Sequence, residues 1–296
     1  MPMAERNLAD ATARATERAL AGGALVPFDV TSLKVDDGPC PYRIEWASSL
    51  ARKDQAAIPK PGAKLGAFNP FLPYDPALYV ADLGPSHVLL LNKFPVAFGH
   101  VLVVTRDYAE QEQKLETDDL SALALAMQSI DGLAFFNGGP VAGASVRHRH
   151  LQIAPFSAPL IEALLDGAKA DGLVQTLAAL PFRHAFVRYT GEAADAAAAG
   201  RRLQQAYLAC LAHCGLQADA DGRLPAYNLL ATRGWLLLVP RRCETWQEAG
   251  IAVSLNAMSF AGSIFVREAS LIPLIREAGL MCVLSSVTFP SAQATT

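Results

Sequence analysis

The sequence has no run of about 18 or more apolar residues, so no membrane span is expected. The N-terminal stretch "MPMAERNLADATARATERAL" lacks the apolar core of a signal peptide, and a cytoplasmic protein is expected from it. Cysteine is scarce and odd in number: Cys40, Cys210, Cys214, Cys243 and Cys282 suggest free thiols rather than a disulfide framework. No Cys-X-X-Cys pair occurs. "CLAHC" (Cys210, His213, Cys214) has no second pair at finger spacing and reads as helix packing. Neither sign of charge dominates, and the net charge of −3 argues against bulk nucleic-acid binding. A P-loop ending is absent. What is present is a chain of 296 residues, 52% hydrophobic and 18% charged, enough for a sizeable core.

Hydrophobic periodicity gives a coarse layout. An amphipathic helix is expected over 5–21, ending at Gly22-Gly23, and an extended proline-rich segment over 55–76. "HVLLLNKFPV" and "HVLVVTRDY" read as an antiparallel pair of buried strands. Thr117 is the expected N-cap of a helix through "DDLSALALAMQSI". "GLAFFNGG" and "PFRHAFVRY" read as strands, 193–214 as an alanine-rich helix, and "AYNLLATRGWLLLVPRR" as a second pair of strands.

Only six histidines occur, and two of them lie one residue apart in "SVRHRHLQIAP". On a strand, His148, His150 and Gln152 share one face. The glycine-rich "NGGPVAGAS" precedes them. An imidazole can attack phosphorus, an amide can donate to a non-bridging oxygen, and loop N–H groups can hold the same charge. Arg147 and Arg149 flank the pair and could add positive charge. On residues alone, phosphorus chemistry, metal ligation and a structural role all remain open.

"HRHLQ" resembles the His-X-His-X-Gln signature of the nucleotidyltransferase branch of the histidine-triad superfamily. "NPFLPYDPALYVADLGPSHVLLLNKFPVAFGHVLVVTRDYAEQ", "FFNGGPVAGASVRHRHLQIAP", "YNLLATRGWLLLVPR" and "NAMSFAGSIFVR" resemble stretches of the diadenosine tetraphosphate phosphorylases, also called ATP adenylyltransferases. The similarity is strong over 67–157 and extends over 225–267.

The resemblance implies an α+β, histidine-triad-like fold: a mainly antiparallel sheet with flanking helices, as in the galactose-1-phosphate uridylyltransferases. It implies a single compact unit over 1–296, with a catalytic half at 67–157 and a second related half at 225–285. It further implies phosphorolysis of diadenosine polyphosphates by inorganic phosphate to ATP and ADP, through AMP bound to His150. His148 would orient the site and Gln152 would contact the transferring phosphoryl group. Asn137, Gly138, Gly139, Gly143, Ala144 and Ser145 match the phosphate-holding loop. Asn92, Lys93, Arg43, Lys53, Asn228 and Arg233 are candidate nucleotide or polyphosphate contacts, with Arg241 nearby in sequence, while His100 reads as structural. Magnesium or another divalent cation is expected with the polyphosphate, and a structural zinc is not, because Cys40 stands alone. Another nucleotidyl donor, as in a nucleoside diphosphate sugar phosphorylase or an ADP-sulfurylase, and a non-catalytic nucleotide-binding regulator are the alternatives. Neither membrane nor nucleic acid is an expected partner, and the sequence leaves the oligomeric state open.

Overall fold

The computed structural model describes residues 8–27, 29–36, 41–47, 69–95, 97–248 and 250–291. Helix α1 (Leu8–Ala21) is followed by strands β1 (Val30–Val35), β2 (Tyr42–Ala47), β3 (Tyr79–Leu83), β4 (His87–Leu91) and β5 (Val101–Thr105), then helix α2 (Thr117–Ser129) and strands β6 (Leu133–Gly138) and β7 (His150–Ala154). Helix α3 (Pro159–Leu164), strands β8 (Val174–Gln175) and β9 (Ala185–Arg188), helix α4 (Ala196–His213), and strands β10 (Tyr227–Ala231) and β11 (Trp235–Pro240) come next. The chain closes with β12 (Thr245–Glu248), β13 (Ile251–Ser254), α5 (Ala257–Phe260), β14 (Ser263–Val266), α6 (Ile272–Ala278) and α7 (Leu280–Ser286).

Nine strands form one antiparallel sheet in the order β3-β4-β5-β7-β6-β10-β11-β9-β8. The central strands β6, β10 and β11 are buried along their whole length, so their near-continuous apolar sequences reflect cover on both faces. One face packs on α1, α2 and α4 through Leu123, Met127, Phe136, Tyr207 and Leu229. The other packs through Phe135, Leu230, Leu237, Phe260 and Ile264 on α3, α5, α7 and a small sheet in which β14 runs parallel to β2. Toward β4 and β5, a separate cluster of Phe71, Val88, Leu90, Leu102 and Val104 covers that second face. His150 and Gln152 lie between the two apolar patches.

The sheet contains a repeated order. The run β4-β5-α2-β6-β7 builds the strand order β4-β5-β7-β6, and β8-β9-α4-β10-β11 builds β8-β9-β11-β10. The two blocks meet at the β6–β10 pair, and α2 packs on α4. This second block spans 174–240, which places β8, β9 and α4 in it ahead of the expected start at 225.

The expected hairpin around Pro95 and Gly99 forms, with His87 opposite Thr105 and Leu91 opposite Val101. Helix α2 begins differently from expectation. Glu116 is its N-cap and Thr117 its first residue, because Asp119 reaches back to accept from the Glu116 N–H at 2.7 Å, while Gln204 of α4 donates to the Thr117 hydroxyl. "CLAHC" is helix packing: Cys210 and Cys214 sit in the core under α4.

Candidate functional site

Strand alternation puts His150 and Gln152 on one face of β7 and Leu151 and Ile153 on the other, where they enter the helix-covered core. His150 Nδ1 lies 2.8 Å from the carbonyl oxygen of His148. A carbonyl can only accept, so Nδ1 carries the proton and Nε2 keeps its lone pair. Among the described residues Nε2 has no partner. Burial pushes the imidazole down to about 4, although the bond to the carbonyl works the other way. His150 is thus a neutral, oriented imidazole with its lone pair on Nε2 through the physiological range.

Gln111 holds the backbone around it. Its Oε1 accepts from the His150 N–H at 2.8 Å, and its Nε2 donates to the carbonyls of Asn137 at 3.0 Å and His150 at 3.1 Å. The residue is 1% exposed, and it supplies the buried His150 backbone with a donor and an acceptor, while the Asn137 carbonyl also accepts from the Gly139 N–H at 2.9 Å. One of two glutamines in "YAEQEQK", Gln111 carries no sequence signal of this role.

His148 is committed to the protein. Its Nε2–H points at the Thr105 carbonyl, 2.8 Å away, with the Thr105 hydroxyl at 2.9 Å, and its Nδ1 lies 3.1 Å from Asn69 Nδ2. Phe71 and Tyr108 pack against the ring, and burial lowers its pKa. What it offers the site is its carbonyl, which sets the tautomer of His150. Gln152 is oriented in the same manner. His100 Nε2 donates to Gln152 Oε1 at 3.0 Å, while Asn92 Nδ2 approaches His100 Nδ1 at 3.3 Å. Burial pushes His100 down to about 4, so it stays neutral. The Gln152 NH2 group therefore faces the site as a donor. His100, a structural residue by its sequence context, is the group that decides which end of the amide is presented.

The loop after β6 takes its shape from three glycines. A Cβ on Gly138 would lie 2.9 Å from the Tyr227 ring. Gly139 and Gly143 have φ of +92° and +90°, and a Cβ there would meet Glu112 Cγ at 2.7 Å and Asn256 Cβ at 2.8 Å. The N–H groups of Gly139, Ala142, Gly143 and Ala144 close the loop on itself. The exposed Ser145, next in the chain, has no partner among the described residues for its N–H or hydroxyl.

The remaining candidates separate. Asn137 and Asn228 are adjacent, with Asn228 Nδ2 2.8 Å from Asn137 Oδ1. Asn92 acts through His100. Lys93 is exposed, its Nζ 5.9 Å from the Phe94 ring centre. Arg43 stacks over Phe156 just past the end of β7, at 4.1 Å; its Nε lies 3.9 Å from the Glu45 carboxylate, and among the described residues neither its buried Nε nor its Nη2 has a hydrogen-bond partner. Lys53 lies outside the described residues. Arg233 is not brought in: it donates to the Met127 and Gln128 carbonyls at the end of α2, beyond the Ala231 end of β10, whereas Asn228 marks the site end. Nor do the flanking arginines face His150. Arg147 pairs with Glu110 at 2.8 Å, and Arg149 crosses to the other face to reach Asp119 at 2.8 Å, because alternation turns odd positions away from His150. Among the described residues no group of three or more His, Cys, Asp or Glu side chains is placed to hold a metal ion.

Fold and site together define a class: an α+β protein whose antiparallel sheet presents an unprotonated histidine on one face with a glutamine, after a glycine-shaped loop. The family model described as "Ap4A phosphorylase N-terminal domain" matches residues 1–165, and "ATP adenylyltransferase C-terminal domain" matches 178–290. The chain belongs to this family of Ap4A phosphorylases and ATP adenylyltransferases. Diadenosine 5',5'''-P1,P4-tetraphosphate phosphorylase 2 of Saccharomyces cerevisiae is 28% identical, over 77% of this chain and 76% of that protein. Protein APA1 of the same yeast is 26% identical, over 85% and 84%. The crystal structure of yeast Ap4A phosphorylase Apa2 superposes with a TM-score of 0.80 at 24% identity, covering 98% of this chain and 97% of that one. The structure of the same enzyme in complex with Ap4A superposes at 0.76 and 23% identity, covering 96% and 98%. These superpositions bear out the α+β antiparallel fold.

Proposed function

We propose that the chain catalyses reversible phosphorolysis of diadenosine tetraphosphate to ATP and ADP, with AMP carried on His150. His150 Nε2 attacks one α-phosphorus; the N–P bond forms as the bond to the bridging oxygen breaks, and ATP leaves. A phosphate oxygen then attacks the same phosphorus, the N–P bond breaks, and ADP leaves with His150 restored. The observation that carries this reading is the bond from His150 Nδ1–H to the His148 carbonyl, which leaves Nε2 as the attacking atom. Family membership and the yeast relatives' names support the substrate.

Gln152 suits transfer over hydrolysis. Its amide can steady a non-bridging oxygen but cannot take a proton from water at neutral pH. With no converging metal ligands among the described residues, we place magnesium on the polyphosphate as part of the substrate, where it screens the leaving ATP. Among the described residues Cys210, Cys214, Cys243 and Cys282 are free thiols, which supports a cytoplasmic setting.

The test is product analysis with diadenosine tetraphosphate and magnesium, with and without phosphate, on wild type and His150→Ala. ATP plus ADP, dependent on phosphate and lost in the variant, is the expected result. ATP plus AMP without phosphate would show a hydrolase instead.

A further inference from the structure

Arg241 follows β11 and is 3% exposed. Its five N–H groups all have acceptors. Nη1 donates to Asn228 Oδ1 at 2.6 Å and to the Leu255 carbonyl at 2.9 Å. Nη2 donates to the carbonyls of Cys243 at 2.8 Å and Glu244 at 3.1 Å, and Nε to that of Val287 at 3.4 Å. All five acceptors are amide or peptide oxygens. Burying a cation this way is expensive, and an apolar side chain would fill the space at lower cost.

The bond to Asn228 leads back to the nucleophile. The backbone N–H of Ala257 donates to the Asn137 side chain at 2.9 Å, which identifies that atom as Oδ1. Asn228 must then present its NH2 to Asn137 Oδ1, at 2.8 Å, and to the Ala142 carbonyl, at 2.9 Å. Its own oxygen is thereby turned to Arg241. Each amide in the chain has one allowed orientation. Asn137 Nδ2 is left without a protein acceptor among the described residues.

The three side chains form a row across the sheet. Asn228 is the register partner of Asn137, and continuing the β6–β7 register from Phe135 opposite Gln152 sets Asn137 opposite His150. Gln111 bridges the carbonyls of that last pair. The ladder itself ends at Phe135–Gln152, and the Gln111 amide takes the place of direct bonds between the Asn137 and His150 backbones. Strand alternation keeps both side chains on one face, so Asn137 Nδ2 is a donor on the face that carries the His150 imidazole.

We propose that Arg241 and Asn228 are positioning residues that hold the Asn137 NH2 group toward the phosphoryl group transferred to and from His150. This rests on the function proposed above. Asn137 Nδ2 donates to a non-bridging oxygen as negative charge builds there, opposite the donor from Gln152. The Asn228 bond to Ala142 ties the glycine loop into the same assembly.

The test is a double-mutant cycle on kcat, with active sites counted by single-turnover ATP release. Asn228→Asp keeps the side chain's size and gives Arg241 a carboxylate partner, which offsets the lost donation to Asn137 and Ala142, so the protein should stay folded with a lowered Tm. The new carboxylate can only accept, so it repels Asn137 Oδ1 and opposes the hold of the Ala257 N–H on that oxygen, and the Asn137 NH2 is no longer fixed toward the phosphoryl group. The expected loss in kcat is about 100-fold, typical of a lost transition-state donor. In an Asn137→Ala background the same change should alter kcat by no more than about twofold, since it has no amide left to orient. Arg241→Met should repeat the loss if it folds. Folded Asn228→Asp protein with wild-type kcat, or effects of the two changes that multiply, would overturn the positioning role alone. A wild type that never releases ATP from diadenosine tetraphosphate would overturn both this role and the function on which it rests.

Discussion

At the scale of single residues, the site is a set of side chains each held in one orientation by a neighbour. The His148 carbonyl fixes the tautomer of His150, and His100 fixes the amide of Gln152. A free imidazole loses half its nucleophile at its ordinary value of 6.5, whereas burial moves that loss in His150 to about 4. Rapid-quench measurement of ATP release should therefore show an acid limb well below pH 6.5. A limb at 6.5 would mean that the attacking histidine is solvated. Gln152→His should gain phosphate-independent release of AMP, because an imidazole there can accept from His100 or relay a proton from water. Nucleotide analysis by chromatography without phosphate checks this, and an absence of AMP would count against the role assigned to the glutamine. The sequence pointed to His148, His150 and Gln152 through their alternating spacing, and to Asn137 and Asn228 through the family resemblance, and the structure brings Asn137 and Asn228 into direct contact. Gln111 and the orienting role of His100 were not, since both depend on partners about 40 to 50 positions away.

Among the elements, the glycine loop and helix α2 matter most. The loop can turn only where a side chain is missing and φ is positive, which Gly139 and Gly143 supply. Gly143→Ala would put a methyl 2.8 Å from Asn256 Cβ and 3.0 Å from the Leu255 carbonyl, the same carbonyl that accepts from Arg241. Strain and displacement together should lower stability by about 2–3 kcal/mol and weaken substrate binding. Urea titration and KM measure the two effects; an unchanged KM would show that the loop does not meet the substrate. Helix α2 delivers Asp119 into the sheet, where it accepts from His87 at 2.9 Å and from Arg149 at 2.8 Å. Burial alone would raise this carboxyl, but His87 and Arg149 outweigh it and hold it below the usual range. Asp119→Asn would strand a buried guanidinium, at about 3–5 kcal/mol. Differential scanning calorimetry should show a large drop in Tm, with residual kcat per folded molecule near normal.

Over the whole molecule, these buried groups set the response to acid. His100 and His150 titrate near 4 when folded and near 6.5 when free. Between those values the unfolded chain binds protons that the folded chain refuses, so stability is greatest above pH 6.5 and falls as pH drops. Each such imidazole contributes about 1.4 kcal/mol per pH unit in that window. Asp119, with its lowered value, adds a loss that begins only below about pH 4. Urea midpoints should therefore decline from pH 7 to pH 5, and a flat profile would mean that the two imidazoles are hydrated. By itself the sequence determined the chemistry-bearing segment, the alternation that puts His150 and Gln152 on one face, the buried hairpins and the family, because each is written in spacing along a short stretch. Only the tertiary structure decided that Arg149 and Arg233 point away from the site, that His100 and Gln111 belong to it, and that Arg241 reaches Asn137 through Asn228. Those outcomes depend on which strands become neighbours and on which buried polar groups must be satisfied once they do.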